Sequence, residues 1–116
     1  MEREIWLKTD LGRMPGMEDL GGYAFTDDSR GDRIGVILLK NGRAASVSGN
    51  VTANIIRNDG VTITQTGTLI GNRASVVLPS SAYAVSGSIQ IFIKIGAATV
   101  GACRGMVRRS VTGTII

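Results

Sequence analysis

Apolar and polar residues in this chain alternate with a period of two far more often than with the 3.6 of a helix, so strands are predicted along its length. The clearest run places Ile89, Ile91, Ile93 and Ile95 on one side and Gln90, Phe92 and Lys94 on the other, which predicts a strand with one face against a core. Val51, Ala53 and Ile55 alternate with Thr52 and Asn54 in the run to Arg57. Asn58-Asp59-Gly60 then turns the chain into Val61 to Leu69, where Val61 and Ile63 face away from Thr62 and Thr64, predicting a hairpin. Arg33 to Lys40 is an apolar run ending at Asn41-Gly42, a pair suited to the positive φ values of a type I′ turn. Gly71-Asn72 opens a turn into a short strand, Arg73 to Leu78. Pro79 to Tyr83 reads as a loop or single helical turn. Gly96-Ala97-Ala98 turns the chain again, and Thr99 to Arg109 with Val111 to Ile116 supply one or two last strands.

Residues 1–22 are patterned differently. Met14-Pro15-Gly16-Met17 interrupts any regular element, Gly21-Gly22 punctuates the end, and the apolar groups lack a steady period. The sequence therefore divides into an extended N-terminal arm, 1–22, and a sandwich domain, 23–116. Seven to eight short strands with no covering helix predict an antiparallel β-sandwich of immunoglobulin-like or jelly-roll-like type. The arm carries the single Trp and three of the four Met residues. Large adaptable apolar groups on an extended segment suit pockets on a neighbour, so Ile5, Trp6, Leu7, Met14, Met17 and Tyr23 are the residues expected at a subunit contact. The competing expectation is that the segment is a strand closing the chain's own sandwich.

Composition narrows the chemistry. A chain of 116 residues is long enough for one domain with a real core and no staples. It has no His and a single Cys, so the commonest general base and the commonest transition-metal ligands are missing. Cys103 has no histidine to activate it and is expected to be a packed thiol. The Ser and Thr residues form no nucleophile elbow. No enzymatic activity and no cofactor are therefore expected. No signal-peptide core or apolar membrane span is legible, and synthesis in a cytosol is expected.

Charge is uneven. Residues 1–33 hold five Lys/Arg against eight Asp/Glu, a net of −3, while residues 34–116 hold eight against Asp59 alone, a net of +7. Opposite potentials on leader and body could orient copies head to tail, or fold the leader over its own body. The basic residues are dispersed with few aromatics beside them, so nucleic acid is not expected as a partner. Nor is a small molecule or a membrane.

Short motifs add little. Arg30-Gly31-Asp32 is the tripeptide integrins read, but it also suits a solvated loop before a strand. Asn50-Val51-Thr52 matches a glycosylation acceptor without a secretory signal, and Val51 reads as a strand residue. The adjacent pairs Glu18-Asp19 and Asp27-Asp28 point to opposite sides of an extended chain, as solvating charges do.

From about Asp28 to Met106 the turns and strands resemble the N-terminal domain of the siphophage upper baseplate proteins. The resemblance rests on Ser29-Arg30-Gly31-Asp32 leading into a strand, Lys40-Asn41-Gly42-Arg43, and a small residue before Gly49. It continues through the strand Val51 to Arg57 with Asp59-Gly60 at its tip, Val77-Leu78-Pro79, Gly87 and the strand Ile89 to Ile95. It implies a non-catalytic virion structural protein of a tail tip or baseplate, made in the host cytoplasm, whose partners are other copies of itself and other virion structural proteins. In members of that family the sandwich tethers a C-terminal extension. Two other roles fit the same pattern: a carbohydrate- or host-surface-binding module, and a capsid decoration or head–tail joining protein.

Overall fold

A computed structural model describes residues 4–11, 16–26 and 32–108, with the side chains of residues 21–24 and 26 left out of the description. It is an all-β sandwich of two packed sheets. The described strands are β1 (Glu4–Asp10), β2 (Met17–Thr26), β3 (Arg33–Lys40), β4 (Arg43–Ala44), β5 (Val51–Ile56), β6 (Thr62–Thr66), β7 (Thr68–Ile70), β8 (Arg73–Val77), β9 (Gly87–Ile95) and β10 (Ala98–Arg108). A single 3₁₀ turn covers Ser80–Tyr83. One sheet runs β1-β3-β8-β7 with β4 beside β3; the other runs β2-β10-β9-β5-β6. The expected strand Val111 to Ile116 lies outside the described residues.

The local patterns act as elementary physics requires. Asn41 and Gly42 both take positive φ, 53° and 77°, in the turn that joins β3 to β4. The isoleucines of β9 face inward, with Ile89, Ile91 and Ile93 essentially without solvent exposure. They meet Val51, Ala53 and Ile55 of β5, and Ile34, Val36 and Leu38 of β3 across the sandwich, in one apolar cluster. Each isoleucine, leucine or valine among them contributes about 1.5–3 kcal/mol of burial.

Two features depart from the expectation. The sheets are mixed and not purely antiparallel, because β1 pairs with β3 in parallel and β2 pairs with β10 in parallel. The segment expected as an arm thus supplies, in its described part, all of β1 and the start of β2. In addition, the run Val61 to Leu69, expected as one strand, divides at Gly67. β6 pairs with β5 in one sheet and β7 with β8 in the other. At the crossing, a Cβ on Gly67 would lie 2.2 Å from the Ser75 carbonyl oxygen, so the backbones approach more closely than any side chain permits.

The start of β3 is tied to the turn after β8 by a buried polar knot. Asp32, with no solvent exposure, donates its N–H to the Tyr83 hydroxyl (3.0 Å), and that hydroxyl donates to Asp32 Oδ2 (2.9 Å). The Leu78 N–H donates to the Asp32 carbonyl. Buried polar groups need such partners, and here they lock one end of the sandwich.

Candidate functional site

The residues expected to contact a neighbour separate once they are placed in the sheets. Alternation along β1 sends Ile5 and Leu7 inward, where both pack on the core, with Leu7 9% exposed. These two are committed to the chain's own interior. Trp6 points to the outer face and lies across Gly35 of β3, so closely that a Cβ there would sit 2.2 Å from a ring carbon. Its indole N–H donates to Glu4 Oε1 (3.0 Å), and the Arg73 guanidinium lies 5.3 Å from the ring centroid. Trp6 is therefore held against its own sheet and stays partly exposed. Met17 is 42% exposed on β2. Met14 lies outside the described residues, and for Tyr23 only the backbone, within β2, is described.

What sequence reading of the arm missed lies on the opposite side of the sandwich. Among the described residues the two sheets end at β1 and β7, and at β2 and β6. Charged side chains guard the N-terminal pair of edges: Glu4, Lys8 and Asp10 on β1, and Glu18 and Asp19 on β2. The β2–β10 register also shifts between Arg104 and Met106, and Arg104 bonds Asp19 at 3.2 Å. Such charges and irregularities discourage a further strand from adding. Residues 61–71 carry neither charge nor proline, and they form β6, Gly67 and β7 in succession along the other side. Val61 (45% exposed) and Ile70 (76%) stand at its two ends.

Hydrogen bonding shows which backbone groups that edge presents. The Arg57 N–H donates to the Val61 carbonyl, and the Gly67 N–H donates to the Val51 carbonyl. Within an antiparallel ladder the bonded residues recur every second position. Val61, Ile63, Gln65 and Gly67 therefore direct their backbone groups toward β5, and Thr62, Thr64 and Thr66 direct theirs away from the sheet. Among the described residues no further strand lies on that side of β6. The turn that feeds β6 is rigidly closed: Arg57 Nη2 bonds Asp59 Oδ2 at 2.6 Å, and Asp59 Oδ1 accepts the Val61 N–H at 3.2 Å. The guanidinium hydrogen bond holds the Asp59 carboxyl below its usual value, so the clasp persists into acid. Beside the edge runs a groove of about 830 Å³ bordered by Ser46, Val47, Ser48, Thr66, Gly67 and Leu69, and none of its lining residues is charged.

Cys103 is fully buried, and burial, reinforced by the nearby Glu18 carboxylate, pushes its thiol up to about 12. The native protein should therefore react with a thiol reagent at about pH 8 on the order of a thousandfold more slowly than an open thiol, and yield one equivalent on unfolding. Rapid native labelling would contradict the packing described. No group of three His, Cys, Asp or Glu capable of holding a metal occurs among the described residues. Glu18 and Asp19 are both exposed, on successive positions of β2. Asp32 of the integrin-type tripeptide is buried and bonded to Tyr83, which withholds its carboxylate from a receptor; Arg30 and Gly31 lie outside the described residues. No described helix is long and apolar enough to cross a membrane.

The fold and its surfaces define a two-sheet β-sandwich that guards one pair of strand edges with charge and leaves the other uncharged. No protein-family model matches the chain, and no curated protein matches it.

Proposed function

We propose that the chain is a non-catalytic virion structural protein of a phage tail tip or baseplate, assembling with copies of itself and with other virion proteins through its strand edges. The observation that carries this reading is the uncharged edge formed by β6 and β7, with the outward backbone groups of Thr62, Thr64 and Thr66. Unpaired strand edges are templates for another strand, and soluble monomers ordinarily blunt them. The tail-tip or baseplate setting rests on the turn and strand resemblance of Asp28 to Met106. Of the two sandwich types, the strand order β3-β8-β7 facing β10-β9-β5-β6 favours the immunoglobulin-like one.

Light scattering or mass photometry across a concentration range, at low and high salt, tests the reading. A defined oligomer is expected, and a strict monomer throughout would overturn self-assembly. Salt separates the routes: contacts between the acidic leader and the basic body loosen as charge is screened, whereas an uncharged edge holds. Deleting residues 1–22 is a poor test of assembly, because it strips β1 and the buried Leu7 from the chain's own sheet.

A further inference from the structure

We propose that two copies of this chain join through β6, antiparallel, about a two-fold axis at Thr64, so that one sheet continues from copy to copy. The inference rests on the assembly reading above and names its partner and register.

The sequence of the edge is self-complementary. Thr62-Ile63-Thr64-Gln65-Thr66 presents threonine at each outward-bonding position, so the bonding positions, though not Ile63 and Gln65 between them, are symmetric about Thr64. Centred on Thr64, antiparallel pairing sets Thr62 against Thr66 of the second copy, Thr64 against Thr64, and Thr66 against Thr62. Each of these three pairs joins residues whose backbone groups already point off the sheet, so each exchanges two hydrogen bonds. A register displaced by two residues loses one of the three pairs, and one displaced by a single residue opposes outward groups to inward ones. The same register places the exposed Val61 opposite Gly67 of the second copy, where no side chain obstructs it. Facing threonines on the outer surface make favourable cross-strand pairs.

Pairing with the charged edges is penalised. Joining β6 to β1 or β2 of another copy would bring Glu4, Lys8 and Asp10, or Glu18 and Asp19, against an edge with no charge to answer them. A two-fold β6 contact buries no charge and closes on itself as an isologous dimer, the commonest symmetric form.

Cysteine cross-linking reads the register directly, because Cys103 is buried and contributes no background. Full-length Thr64→Cys should form a disulfide-linked dimer under mild oxidation. Thr62→Cys and Thr66→Cys should link when mixed, and each should link poorly alone. Thr64→Pro removes an N–H that points off the sheet and leaves the β5–β6 ladder intact, so it should weaken the dimer at least about tenfold with the fold retained. Thr64→Lys, which sets two ammonium groups face to face, serves the same purpose should the proline variant misfold. An oligomer that gives no Thr64→Cys cross-link, or links equally through Thr62→Cys alone, overturns the β6 pairing and leaves the assembly reading standing. A wild-type chain that is monomeric throughout, with no cross-link, overturns both.

Discussion

Gly67→Ala should cost about 3 kcal/mol or more, among the largest effects of any single methyl group added to this protein. The added Cβ would lie 2.2 Å from the Ser75 carbonyl oxygen, 2.5 Å from Val76 Cγ1 and 2.9 Å from Val51 Cγ1. The first is a backbone atom within β8, so no rotamer change relieves it; the strands themselves must separate. They cannot separate cheaply, because Gly67 is the point at which the chain leaves one sheet for the other, with its N–H bonded to the Val51 carbonyl. Chemical denaturation should show the loss as a large fall in midpoint. Gly71→Ala is the matched control: its φ of 60° makes alanine unfavourable, but nothing lies within 4 Å of the added carbon, so about 1 kcal/mol is expected. Equal losses at the two positions would show that the crossing is not close-packed.

Tyr83→Phe should destabilise the fold by about 2–3 kcal/mol without disturbing its apolar packing. The hydroxyl serves one buried residue twice, accepting from the Asp32 N–H and donating to its carboxylate, while Asp32 has no solvent exposure. Phenylalanine keeps the ring in place and leaves both groups without that partner. A buried acceptor that loses a donor costs more than the average hydrogen bond contributes, because water is not there to replace it. The measurement is the same denaturation curve, and a change below about 0.5 kcal/mol would mean that the knot is not what holds the start of β3 to the turn after β8.

Much of the sandwich was legible because its causes are local. The strand read at Arg33 to Lys40 is β3, residue for residue, since the apolar run begins and ends on charges and stops at Asn41-Gly42. The isoleucines of β9 read as one face and are one face, because a half-buried strand has a strict period of two. Pro79 to Tyr83, which reads as a loop or a single helical turn, holds a 3₁₀ turn over Ser80–Tyr83. The candidate site was legible only in part. Ile5, Trp6 and Leu7 stood out as large and apolar, but a local pattern cannot say which surface will cover them. In the structure that surface is β3 of the same chain, with Gly35 leaving the space in which Trp6 lies. The open edge left a trace in sequence, namely residues 61–71 without charge or proline, but the trace acquires meaning only when β6 and β7 are seen to be terminal strands.

By itself the sequence determined that the chain is built of short strands, where most of them lie, which faces turn inward, and that it carries no histidine. Periodicity, turn residues and the absence of histidine each act within a few positions, so a linear reading captures them. Tertiary structure alone decided that β1 and β2 join different sheets in parallel, that the chain changes sheets at Gly67, that Tyr83 answers Asp32, and which edges stay open. Each of these is a pairing between residues far apart in the chain. It is selected by how well whole sheets bury one another and satisfy their polar groups, a competition that no short window of sequence contains.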